Sequence, residues 1–160
     1  MSPQLDLTEQ VLESLHETLK AELTAVYQYL LHAKVCQNWG YSRLAEYHRN
    51  ESMEELQHAE ALMERILFLK STPNMSDLSA VKECKSVKEQ LENDLSLEMD
   101  AVARLNAAMK TAINAGDNVS GQLFGKILAD EDHHVDYLEG QLHIINEVGV
   151  ANYLAQQIHK

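Results

Sequence analysis

Two matching sets of residues stand out along the chain: Glu22, Glu55 and His58, then Glu98, Glu131 and His134 at a constant shift of 76 positions. Glu22 and Glu55 are 33 residues apart, as are Glu98 and Glu131, and Glu55 and Glu131 each begin a Glu-x-x-His. On a helix, a three-residue step returns to the same face one turn on, so each Glu-x-x-His presents a carboxylate and an imidazole together. One Glu from each of two helices plus Glu-x-x-His from each of two others is a donor set for two adjacent metal ions. Carboxylate oxygen and imidazole nitrogen without thiolate suit iron or manganese better than structural zinc. The alternative is a symmetric buried polar network that holds no metal. A lone Glu-x-x-His means little, since Glu13 and His16 make one beside the Leu12, Leu15, Leu19 stripe, where a solvated pair is expected. Doubling is what makes the pattern specific.

These residues need long helices to carry them. Asp6 and Glu9 form a capping box, and Val11, Leu12, Leu15, Leu19, Leu23, Val26 and Leu30 then recur at three- and four-residue steps up to Asn38-Trp39-Gly40. A second stripe runs from Leu44 through Leu62, Ile66 and Leu69 until Ser71-Thr72-Pro73. Residues 71 to 84 lack a period and are long for a turn, which predicts a crossover along the length of the bundle. A third helix follows with Val87, Leu91, Leu95, Val102, Leu105, Met109 and Ile113 inward. Asp117 or Asn118 caps a fourth, carrying Leu123, Ile127, Leu138, Leu142 and Ile145 up to Gly149, and Val150 to Ile158 predicts a short fifth. Short, long and short connections define an all-α four-helix bundle with one long crossover, occupying residues 1–160 as a single domain, with coiled-coil oligomers as the rival.

The 76-residue shift also pairs Val11 with Val87, Leu15 with Leu91, Leu19 with Leu95, Val26 with Val102, Gly40 with Gly116 and Leu62 with Leu138. The chain is therefore two helical hairpins of common design. Glu22 sits between Leu19 and Val26, and Glu98 between Leu95 and Val102, so both project from apolar stripes. Inward positions 44, 48, 51, 55, 58, 62 and 127, 131, 134, 138 place the remaining four at the same level. Buried carboxylates without partners cost several kcal/mol each, so cations or protons must neutralise them.

A formal charge of -12 repels phosphate backbones and anionic membrane surfaces, which argues against nucleic acid and membrane partners. The longest apolar run, Ile66 to Leu69, is far below the roughly 20 residues of a bilayer span. MSPQLDLTEQ carries no basic-then-apolar leader, and Cys36 and Cys84 form no Cys-x-x-Cys, so a cytoplasmic protein with reduced thiols is expected.

Over nearly its whole length the sequence resembles the bacterioferritins of the ferritin-like superfamily. The resemblance rests on AELTAVYQYLLHA around Glu22, ESMEELQHAE around Glu55 and His58, RILFLKSTPN, LSLEMDA around Glu98, DEDHHVDYLE around Glu131 and His134, and NYLAQQI. It implies a ferroxidase: a cytoplasmic shell of 24 subunits that oxidises ferrous iron with dioxygen or hydrogen peroxide and stores ferric mineral. In that family pattern Glu55 and Glu131 bridge two irons, with Glu22 and His58 on one and Glu98 and His134 on the other. Tyr29 and Asp94 are candidates for orienting those ligands, with core packing and a solvated acid as their respective alternatives. The family also binds b-type haem across a subunit two-fold through a methionine directly after the second-helix bridging glutamate. Here that position is Leu56, which cannot ligate iron, so either a haem-free homo-24-mer or a mixed shell with a haem-binding paralogue is implied. A dinuclear peroxidase without mineral storage is the enzymatic alternative. A ferredoxin is the family's iron-release partner. Asn50 and Glu54 lie where the family can carry an inner-surface iron site, which is left unassigned. Met53 and Met63 are expected to pack, His48 to be hydrogen-bonded or partly exposed, and His133 to face away.

Overall fold

The computed structural model describes residues 6–158. Its helices are α1 (Leu7–Trp39), α2 (Ser42–Phe68), α3 (Val87–Asn114), α4 (Asn118–Val148) and the short α5 (Val150–Ala155). α1 pairs with α2 and α3 with α4 as antiparallel hairpins, and α1 packs on α3 to close the bundle. The crossover runs along the outside, and Thr24 on α1 holds it by accepting from the Ser79 amide at 3.0 Å. This is the all-α four-helix bundle with one long crossover expected from the periodicity.

Local chemistry sets the helix ends. At the start of α1, Asp6 Oδ1 accepts from the Glu9 amide at 2.8 Å while Glu9 Oε2 accepts from the Asp6 amide at 3.2 Å. α1 stops at Gly40, whose φ of 89° is left-handed and costs glycine nothing. Asp117 is the cap of α4, accepting from the Ser120 amide at 3.0 Å and from Arg65 Nη2 at 2.7 Å. The Arg65 bond ties the end of α2 to the start of α4.

The apolar stripes build two separate clusters. One contains Val11, Leu15, Leu19, Leu62, Ile66, Leu105, Phe124 and Ile127. The other contains Cys36, Leu44, Leu91, Leu138, Ile145 and Tyr153. Along every main helix the polar residues of interest fall between them, in a layer sealed from both ends. Leu62 is fully buried in the first cluster, so Leu62→Ala is expected to cost about 2–5 kcal/mol, measured by denaturant unfolding.

Three sequence expectations need adjustment. Leu30 and Ile113 are 38% and 50% exposed despite their place in the stripes, because each sits at the outer edge of a broad apolar face. α5 ends at Ala155 rather than Ile158. Met53 is 49% exposed rather than packed, whereas Met63 packs against the first cluster. Cys36 and Cys84 are free, and no described helix is long and apolar enough to cross a membrane.

Candidate metal centre

α1 supplies Glu22, α2 Glu55 and His58, α3 Glu98, and α4 Glu131 and His134, so the structure brings all six sequence-predicted residues together. Their exposures run from 0% for Glu55 to 7% for His58. They form two overlapping groups, Glu22, Glu55, His58, Glu131 and Glu55, Glu98, Glu131, His134, with ligand atoms inside each group within 4.8 Å of one another. Glu55 and Glu131 belong to both, which is the geometry a bridging carboxylate needs.

The imidazoles fix the polarity of the site. His58 Nδ1 lies 3.4 Å from Glu22 Oε2, 3.2 Å from Glu55 Oε2 and 3.2 Å from Glu131 Oε1. His134 Nδ1 lies 3.3 Å from Glu55 Oε1, 3.4 Å from Glu98 Oε1 and 3.8 Å from Glu131 Oε1. Both rings therefore turn Nδ1 into the carboxylate cage. Oxygens about 2.0–2.2 Å and nitrogens about 2.0–2.1 Å from a cation sit roughly 3 Å apart, so these separations are compatible with shared coordination of a cation.

Burial and crowding make four carboxylates electrostatically costly to hold together in this layer. Burial, followed by the charge of Glu55, pushes the Glu22 carboxyl well above its ordinary range. Burial and then the charge of Glu22 push Glu131 up to about 9. Burial opposes charge on His58 and His134, yet the surrounding carboxylates raise both. Glu22 Oε2, Glu55 Oε1, Glu98 Oε2, Glu131 Oε1 and His134 Nδ1 have no hydrogen-bond partner. Two divalent cations would neutralise four carboxylates and engage these orphaned atoms.

Tyr29 is fully buried, and its hydroxyl donates to Glu98 Oε1 at 2.6 Å, so it does more than pack. A hydrogen bond to a carboxylate contributes about 1.5–3 kcal/mol. Tyr29→Phe is therefore expected to weaken metal binding at the Glu98 side by roughly tenfold, within the range for loss of a ligand-orienting partner, as read by ferrous ion titration.

His48 differs from its expectation, and Asp94 differs from the alternative of a solvated acid. Asp94 is fully buried rather than solvated, 3.0 Å from His32 Nδ1 and 3.5 Å from His48 Nδ1, and His48 is fully buried without a hydrogen bond from either nitrogen. The Gln28 amide nitrogen donates to His32 Nε2 at 2.9 Å, and Gln28 is itself clamped to the Lys82 backbone. With Nε2 engaged by Gln28, His32 turns Nδ1 toward Asp94. The trio is a polar network beside the centre, with His48 held down to about 3 by burial and then by His32, and Asp94 raised to about 6 by burial against the pull of His32. Composition gave no sign of it, because His32 and His48 lie outside the repeat.

Glu13 and His16 stay apart from the centre, with His16 3.3 Å from Ser71 Oγ, and His133 is exposed. Asn50 and Glu54 line a cavity of about 370 Å³ with Met53, Lys126 and Asp130 that opens onto His58. Sequence reasoning missed Asp130 and the role of Glu51, which meet the outer nitrogens of His58 and His134 at 2.8 and 2.9 Å. The signal was available for Asp130, which the 76-residue shift pairs with Glu54.

Residues 12–148 match the ferritin-like domain family. The chain is 42% identical over 151 residues to a bacterioferritin of Mycolicibacterium paratuberculosis, covering 94% of this chain and 95% of that protein. It is 43% identical over 151 residues to one of Streptomyces coelicolor, covering 94% and 90%. A Brucella melitensis bacterioferritin is 43% identical over 143 residues, covering 89% of each chain.

Proposed function

The chain belongs to the bacterioferritins, within the ferritin-like family, and from that premise we propose that it stores iron and oxidises ferrous ions at the six-residue cluster. The observation that carries this reading is the pair of overlapping four-residue groups that share Glu55 and Glu131. Iron is the substrate here. Glu22 and His58 hold one ferrous ion, Glu98 and His134 the other, and Glu55 and Glu131 bridge them.

The protein's contribution is placement and charge. Anionic oxygens stabilise the ferric product more than the ferrous substrate, which lowers the cost of giving up an electron. Two ferrous ions supply two electrons; with two protons these convert dioxygen to hydrogen peroxide, or hydrogen peroxide to two waters. The apolar clusters on either side hold the layer between them, and Tyr29 keeps one Glu98 oxygen in place. Oxidised iron then leaves for the interior of a shell, which in this reading contains 24 copies. Exposed Tyr27, Leu30 and Leu31 on α1 supply apolar surface that a neighbouring copy would cover.

Haem does not fit this chain in the manner the family resemblance implies. Leu56 is partly buried and has no ligand atom, so no step is assigned to haem. Leu56 favours one second reading, a mixed shell with a haem-binding paralogue; co-purification of two related chains in one particle would support it.

An anaerobic ferrous titration followed by oxidant, on particles sized by light scattering, tests the function. The expected result is a fast phase saturating at two irons per chain, followed by accumulation of far more iron in a particle of shell size. Fast oxidation without accumulation would replace storage with a dinuclear peroxidase, and absence of the fast phase would overturn the ferroxidase reading.

A further inference from the structure

The outer nitrogens of the two histidines reveal a feature that the six residues alone do not specify. His58 turns Nδ1 into the cage and places Nε2 2.8 Å from Asp130 Oδ2. His134 does the same, with Nε2 2.9 Å from Glu51 Oε2 and 3.2 Å from Glu54 Oε2. Asp130 is on α4 and meets the histidine of α2; Glu54 is on α2 and meets the histidine of α4. The pattern is crosswise, and it follows the repeat, since Glu54 and Asp130 are 76 positions apart and each directly precedes Glu55 or Glu131.

We propose that Asp130, and Glu54 together with Glu51, are positioning residues for the metal centre: Asp130 accepts the Nε2 proton of His58 and Glu54 that of His134, with the Glu51 carboxylate 2.9 Å from the same nitrogen as a second negative charge, and each pairing commits Nδ1 to the cation. A neutral imidazole has one proton, and only its bare nitrogen can ligate. A carboxylate at Nε2 keeps the proton there, fixes the ring plane and raises the basicity of Nδ1. Because α2 braces the α4 histidine and α4 the α2 histidine, a shift between hairpins loosens both halves together. The brace is unequal: His134 Nε2 faces two carboxylates, whereas the repeat partner of Glu51 is Ile127, leaving His58 Nε2 with Asp130 alone. Single substitutions should therefore matter more at Asp130 than at Glu54.

The inference rests on the di-metal reading, and anaerobic Co²⁺ titration of the full chain, followed by cobalt absorption, separates the two. The parent protein should take two Co²⁺ per chain; fewer would sink the di-metal reading itself. Given two, Asp130→Asn is expected to weaken binding about 10- to 100-fold and alter the cobalt spectrum, the range typical for loss of a ligand-orienting carboxylate. Asp130→Glu should recover most of the affinity. Glu54→Gln alone should have a smaller effect, and Glu51→Gln with Glu54→Gln an effect as large as that at Asp130. Asp132→Asn removes the same charge from the same helix at an exposed position and should leave affinity and spectrum unchanged. Parent-like binding by Asp130→Asn, or equal weakening by Asp132→Asn, would overturn the positioning role.

Discussion

Glu55→Ala is expected to slow the initial ferrous oxidation by at least about 100-fold and to remove saturation at two irons per chain. Glu55 is fully buried and lies in both ligand groups, with its oxygens 3.2 Å from His58 Nδ1 and 3.3 Å from His134 Nδ1. Removing Glu22 would disturb one half; removing Glu55 disturbs both and uncouples them. Metal-centred charge stabilisation amounts to several kcal/mol, and each 1.36 kcal/mol is a factor of ten in rate. Stopped-flow absorbance after mixing with oxidant measures the effect, and parent-like rates would exclude Glu55 as a bridge. Stability should move the other way. Glu55→Gln keeps the shape and removes one of four mutually repelling carboxylates, so the metal-free protein should melt roughly 2–4 °C higher, as expected for about 1 kcal/mol in a chain of this size. Its melting temperature should respond little to added metal.

Metal uptake is expected to release protons and to tighten as pH rises. Burial and then the Glu22 charge raise Glu131 to about 9, and burial and then Glu55 raise Glu22 well above its ordinary value, so at neutral pH the empty cage retains protons. Each proton displaced by a cation steepens the affinity by up to about tenfold per pH unit. The metal-free fold shows the opposite trend. A carboxyl at about 9 in the fold and ~4.3 unfolded stabilises the fold fully below the lower value and loses that contribution on the way to the higher. His58 and His134, raised by their carboxylates against burial, likewise stabilise below ~6.5 and lose that contribution above it. Glu98 runs counter: burial would raise it, but hydrogen bonds with Glu131, His134 and Tyr29 hold it low, so its contribution is present above ~4.3. The balance favours decline of the metal-free protein from about pH 5 to 9, while cations substitute for protons in the loaded one. Thermal melts with Co²⁺ and with chelator across this range should therefore diverge as pH rises. Calorimetric titration in buffers of different ionisation heat should detect the released protons; zero release and a constant gap would contradict the assigned protonation.

Much of the molecule is legible in the sequence. The apolar steps, Gly40 and Asp6 with Glu9 give helices whose ends follow from local backbone chemistry. The 76-residue shift places six polar residues on inward faces, because helical periodicity alone determines the face from which Glu22, Glu55 or His134 projects. Family membership was legible in the same motifs.

The tertiary structure decided what periodicity cannot express. Asp130 to His58 spans 72 positions and Tyr29 to Glu98 spans 69, and such pairings depend on how hairpins dock and which rotamers fit. The choice between an inward and a solvated Asp94 was decided the same way: its helix face is set by sequence, but its cover is supplied by α1 and α2 through His32 and His48. Leu30 and Ile113 show the converse, apolar residues in register with a stripe yet left 38% and 50% exposed at its edge. Local spacing fixes direction about one helix axis, whereas burial, hydrogen-bond partners and the protons they hold arise only where several helices converge.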